Sequence, residues 1–197
     1  GMNEPVLIAT DGAPGLIRAV EEVFPQSLRQ RCLAHKLRNL SAKVPEERWR
    51  EVKAYALAAY QALSPLAAHA AAEEFRRRYA REFPGAVACF EDDFEACIAH
   101  LRLPIAHRKA IRTTNLLERL FGEERRRTKI IPHAFGERAV LKLMFAALAR
   151  ASQSWRRLVI SEFELKQIEK LKTEFRQRTA PAPSTASRLL FSSNNRT

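Results

Sequence analysis

The chain has 197 residues, enough for one compact domain or for one domain carrying an insertion. With 46% hydrophobic and 28% charged residues it has the composition of an ordinary globular protein, and no apolar run approaches the roughly 18–20 residues of a membrane span. Its 34 Lys+Arg against 22 Asp+Glu leave +12, a balance suited to a polyanionic partner, nucleic acid ahead of membrane surfaces or acidic proteins.

Val6-Leu7-Ile8-Ala9-Thr10 is a short apolar run that stops at Asp11-Gly12, which predicts a buried parallel strand with Asp11 at its carboxyl end. Residues Ala13 to Phe24 place Leu16, Ile17, Val20 and Val23 at helical spacing and stop before Pro25. A second strand is predicted over Leu28 to Leu33, with a basic helix starting near His35; this is an α/β pattern. From Pro45 the sequence turns helical. Arg48 to Leu63 forms one helix, and Ser64-Pro65 caps another that runs to about Phe83. Pro84 opens a third, with Val87, Phe90, Phe94, Ile98 and Leu101 as its apolar stripe. Pro104 marks a break before a helix capped at Thr113-Thr114-Asn115. Further helices are expected from Phe135 to Arg150 and from Ser161 to about Gln177, and the Pro-, Ser-, Thr- and Asn-rich end reads as a disordered tail. Gly1 ahead of Met2 reads as an added residue before an initiator methionine.

Three groups of residues bear chemistry. Asp11 sits where open α/β sheets hold their ligands, although an Asp-Gly turn capping the next helix explains it as well. In the second group, Leu116, Leu117, Leu120 and Phe121 form one arc of a helix, with Asn115, Glu118, Gly122 and Arg125 on the other side. A carboxylate flanked by an amide, a glycine and arginines suits a metal beside a phosphodiester; a solvated Glu–Arg face is the plainer reading. From Arg102 to Lys129 nine basic residues face three acidic ones, so about a seventh of the chain holds half of its net charge, which favours phosphate neutralisation. The third group is Cys32-Leu33-Ala34-His35. Its Cys-x-x-His spacing offers two zinc ligands, but Cys89, Cys97, His100 and His107 complete no finger pattern, so a buried Cys with a structural His is the better expectation.

Taken in order, Leu7-Ile8-Ala9-Thr10-Asp11-Gly12, then Gln30-Arg31-Cys32-Leu33-Ala34-His35-Lys36-Leu37-Arg38-Asn39, then Arg112-Thr113-Thr114-Asn115-Leu116-Leu117-Glu118-Arg119 and Arg125-Arg126-Arg127-Thr128-Lys129 resemble the Mutator-type transposases of bacterial insertion sequences. The likeness runs from Val6 to about Glu174; Phe121 departs from it, standing where many relatives carry a polar residue. The resemblance implies an α/β, predominantly helical chain: a partial ribonuclease H-like core, without its N-terminal strands, interrupted by an all-helical insertion. Residues 2–44 would be core, 45–103 the insertion, 104–178 the glutamate helix and the C-terminal helices of the core, and 179–197 the tail.

The resemblance also implies a DDE triad, two aspartates and a glutamate, in which Asp11 is the second aspartate and Glu118 the glutamate. Both would ligate Mg²⁺ (or Mn²⁺) for two-metal phosphoryl transfer. Arg112, Asn115, Arg119, Arg125, Arg126, Arg127 and Lys129 would contact DNA, both transposon ends and target, while Cys32 and His35 form the structural motif. The first aspartate is expected upstream of residue 1, so the chain alone is expected to be inactive. Its three cysteines form no disulfide framework and agree with a bacterial cytoplasm. Only two strands of a five-stranded core are legible, which implies a homo-oligomer or a rearranged helical core. A DNA-binding or regulatory remnant and a helical assembly module remain as alternatives.

Overall fold

The computed structural model describes residues 4–128, 136–153 and 159–179, with residues 116, 123, 124, 127, 128, 151 and 176–179 described by their backbone alone. Lys129 and the tail expected from Ala180 onward lie outside the described residues. Strand β1 (Leu7–Thr10) pairs in parallel with β2 (Leu28–Arg31), Leu7 opposite Leu28 and Thr10 opposite Arg31. They are linked through helix α1 (Pro14–Val23), the crossover that a parallel pair requires. Helix α2 (Leu33–Ser41) follows β2 almost without a loop: Cys32 N–H donates to the Thr10 carbonyl at 2.7 Å and Leu33 N–H to the Arg112 carbonyl at 3.0 Å.

The helical tract begins with α3 (Glu46–Tyr60) and α4 (Pro65–Tyr79). The Ser64 hydroxyl caps α4 by accepting from Ala67 N–H at 3.2 Å, as its Ser-Pro signature predicts. Alanines 56, 59, 68 and 72 line the buried faces of the two helices, allowing close approach, and large aromatics fill the remaining space. Phe75 stacks on Phe90 with ring centroids 4.0 Å apart, and Tyr60 on Phe90 at 4.9 Å. The Tyr60 hydroxyl donates to the Phe90 carbonyl at 2.9 Å, and burial pushes its pKa well up, so it stays a donor.

The apolar stripe expected to form one helix from Pro84 to Leu101 is broken into α5 (Pro84–Glu91), α6 (Phe94–Ile98) and a 3₁₀ segment (Ala99–Arg102). The break lies at Asp93, which adopts φ 57, a left-handed conformation tolerated by aspartate. Its carboxylate takes both arms of the Arg29 guanidinium, at 2.5 and 2.6 Å, tying the tract to β2. Beside it, Lys36 on α2 is buried and its ammonium bonds the Asp92 carbonyl. Inward-facing residues on both sides of the break keep the period of the stripe, so sequence pattern alone does not show the interruption.

Helix α7 (Ile105–Ile111) occupies the stretch read only as a break at Pro104. After it come α8 (Asn115–Thr128), α9 (Glu137–Ser152) and α10 (Glu162–Thr179). A capping box opens α10: Ser161 N–H donates to the Glu164 carboxylate at 2.9 Å, and Glu164 N–H to the Ser161 hydroxyl at 3.3 Å. A small second core joins Leu28 of β2 to Ala99, Leu103 and Leu171. The outcome is an α/β chain, mostly helical, with a two-stranded parallel sheet among the described residues. None of the helices among the described residues is long and apolar enough to cross a membrane.

Candidate functional site

The parallel register brings the carboxyl ends of β1 and β2 to one edge, so that Asp11-Gly12 and Cys32 leave the sheet side by side. Asp11 is exposed, and its Oδ1 accepts from Ala13 N–H at 3.0 Å. The side chain therefore closes the turn into α1, the plainer of its two readings, at a position where a ligand can still reach it. Gly12 has φ +93, and a Cβ built there would fall 1.2 Å from Arg31 Nη1. The guanidinium of Arg31 thus lies directly against the Gly12 backbone. Arg31 is largely buried, and its Nε has no hydrogen-bond partner. The sequence places Arg31 in the second predicted strand but offers no sign of this contact.

Glu118 is exposed in the first turn of α8. The linker from α7 fixes that helix to the sheet edge, because Thr114 donates its N–H to Cys32 Sγ and its hydroxyl lies 3.3 Å from the same sulfur. The Thr114 hydroxyl is also 2.7 Å from Glu118 Oε1, and His35 Nδ1 is 3.7 Å from that oxygen. Cys32 Sγ, a ring nitrogen of His35 and a Glu118 oxygen all lie within 4.8 Å of one another. The fold therefore joins two motifs, Cys-x-x-His and Thr-Asn-x-x-Glu, that are more than 80 positions apart. Thr114 is the link. The Thr-Thr pair before the helix start shows a cap but gives no hint of its sulfur partner.

Burial would raise the Cys32 thiol, but the Thr114 hydroxyl, the backbone N–H groups of His35 and Thr114, and the nearby His35 ring together bring it below its ordinary value. His35 Nδ1 is itself buried and makes no hydrogen bond. Asp11 lies outside the three-residue cluster. Beyond the Thr114 hydroxyl, the groups beside Glu118 include a thiol and an imidazole, ligands of softer cations.

Among the residues expected to contact DNA, Asn115, Arg119, Arg125 and Arg126 are exposed on α8, Arg112 lies at its approach, and Arg127 continues the helix. The Arg126 Nε reaches back to the Gly122 carbonyl at 3.5 Å. The predicted apolar arc packs less completely than its pattern suggests, with Leu117 and Phe121 each 40% exposed. A separate groove between the 3₁₀ segment, α7 and α10 is bordered by Arg102, Arg108, Glu164 and Lys170; neither Asp11 nor Glu118 lines it.

An acidic residue at the end of a parallel strand, joined through a Cys-x-x-His turn to an acidic and arginine-rich helix, defines the class of this α/β chain. Comparison with known proteins gives the family. Residues 1–158 match "Transposase, Mutator family", and the chain belongs to that family. It is 33% identical over 151 residues to the transposase for insertion sequence element IST2 of Acidithiobacillus ferrooxidans, covering 77% of this chain and 51% of that protein. Identity to the transposase for IS6120 of Mycolicibacterium smegmatis is 33% over 156 residues, covering 79% of this chain and 48% of the relative. The IS256 transposase in transposon Tn4001 of Staphylococcus aureus is 26% identical over 157 residues, with 79% and 40% covered. The chain spans about half the length, or less, of these curated relatives.

Proposed function

We propose that the chain supplies the second aspartate, Asp11, and the glutamate, Glu118, of a DNA-transposition site, on a partial ribonuclease H-like core whose insertion is the tract from α3 to the 3₁₀ segment. The observation that carries this reading is the docking of the basic helix α8 onto the sheet edge through Thr114 and Cys32, which holds Glu118 beside the carboxyl ends of β1 and β2. Exposed arginines on that helix would neutralise the phosphates of transposon ends and target. Mg²⁺ would supply Lewis-acid chemistry in the assembled site. This chain's own part is to position DNA on α8 and to present these two carboxylates.

The isolated chain is accordingly expected to bind duplex DNA without cutting or joining it. Arg125→Glu, Arg126→Glu and Arg127→Glu together should lower duplex affinity and flatten its salt dependence, by about one unit of log–log slope for each phosphate that is no longer neutralised. Equal affinity and slope in the triple variant would overturn the DNA reading, and Mg²⁺-dependent nicking by the purified chain would overturn the expected inactivity. Homo-oligomerisation belongs to the same proposal: the described sheet has only two strands, and apolar side chains on α9 stand in solvent.

A further inference from the structure

We propose that Cys32, His35 and Glu118 form a binding site for a single thiophilic divalent cation of the zinc class, with a fourth coordination position left open. Thiolate, imidazole and carboxylate are the three ligand types that such a cation takes from proteins, with bonds of about 2.0–2.3 Å that place tetrahedral ligand atoms roughly 3.3–3.8 Å apart. The His35 Nδ1 to Glu118 Oε1 distance of 3.7 Å already falls in that range, and no pair of the three ligand atoms exceeds 4.8 Å.

Two features point to a ligand rather than to chance proximity. His35 Nδ1 is buried without a hydrogen-bond partner and faces the Glu118 oxygen at a distance too long for a good hydrogen bond and suitable for a shared cation. The Thr114 hydroxyl stands within reach of both Cys32 Sγ and Glu118 Oε1, yet has a single proton to give. A cation held between the sulfur and the carboxylate, taking up the thiolate as its proton leaves, frees the hydroxyl to act as an outer-sphere donor. Thr114 N–H to the sulfur is a second donor of that kind.

The scaffold is stiff. Cys32 is pinned to β1, and Leu33 to Arg112, by backbone bonds, and one turn further along α2 Lys36 is buried. Cys32 and His35 sit at i and i+3 around the start of α2, while Glu118 enters from the start of α8, so the cation would clasp two helix starts together. A harder cation such as Mg²⁺ does not select this donor set. Cation binding stands on these three side chains and is independent of the DNA reading, although both use Glu118.

The test titrates the metal-free full chain with Co²⁺ as an optical probe. The expected result is stoichiometric binding with a thiolate-to-cobalt charge-transfer band and the strong visible bands of four-coordinate cobalt, bleached by equimolar Zn²⁺ and untouched by a large excess of Mg²⁺. Cys32→Ser should abolish the charge-transfer band. His35→Gln and Glu118→Gln should each weaken binding about tenfold or more, with circular dichroism showing that the variants fold. Absence of the band in the wild-type chain, leaving a hydrogen-bond relay only, overturns the proposal; so does a band that survives Cys32→Ser or is displaced by Mg²⁺. Salt-dependent duplex binding is measured in the same metal-free buffer. Its persistence without cobalt binding defeats this proposal alone, and its loss beside intact cobalt binding defeats the DNA reading alone.

Discussion

Gly12 and Arg31 show how far a single backbone position controls the sheet edge. The positive φ at Gly12 is open to glycine at little cost, and the space a Cβ would occupy holds the Arg31 guanidinium. Gly12→Ala should therefore cost about 1–3 kcal/mol from backbone strain, before the displacement of Arg31 is counted. Urea unfolding reads this directly; a loss below about 0.5 kcal/mol, the level of an ordinary surface change, would contradict it. His100 gives a second residue-scale prediction. Burial first, then the charges of Arg112 and Arg108, hold its pKa at about 4 against an ordinary 6.5, and its Nδ1 lies 3.1 Å from Gln30 Oε1. The unfolded chain binds this proton below pH 6.5, whereas the folded chain resists it until about 4. The His100 contribution to stability is thus fully present above 6.5 and is lost as pH falls towards 4. Unfolding midpoints measured across that window should fall more steeply for the wild-type chain than for His100→Gln; parallel curves would refute the assignment.

At the scale of elements, the aromatic stack of α4 and α5 carries the helical tract. Truncating Phe75, which is fully buried against Phe90 and Tyr79, should cost about 3–5 kcal/mol, while Tyr60→Phe, which leaves the buried Phe90 carbonyl without its donor, should cost about 1–3 kcal/mol. Thermal or chemical unfolding of the two variants checks both the sizes and their order. The sequence made much of this architecture legible, because most helices here declare themselves by a 3.6-residue apolar period and a proline or serine at the start. It concealed what depends on residues distant in sequence. The break between α5 and α6 follows from Asp93 meeting Arg29, 64 positions away, and both flanking segments keep the same apolar period. Likewise Asp11, Glu118, Cys32 and His35 were each recognisable by motif, but only the fold places three of them together and leaves Asp11 aside.

Across the whole molecule, burial is uneven. The tract around α3, α4 and α5 holds the larger core, whereas Phe145 on α9 is 73% exposed and Leu141, Leu143 and Phe163 also stand in solvent. With two strands in the described sheet, this distribution leads us to expect self-association: light scattering at micromolar concentration should give a mass above the 22.4 kDa of one chain. A monomer under those conditions would remove the oligomer from the proposal while leaving the helical core intact.

The two-residue kink at Asp92 and Asp93 has a bearing on how the helical tract should be regarded. Read along the chain, residues 45–103 look like a cassette inserted between two halves of another structure. In space, the kink receives Arg29 from β2 and Lys36 from α2, one cation from each element that leads to the sheet edge. With the tract in place, Asp93→Ala would leave the largely buried Arg29 with only the more exposed Glu21, at 3.6 Å, as its counter-charge, a loss of roughly 1–3 kcal/mol. The tract is thus a keystone: what the chain interrupts, it also holds up.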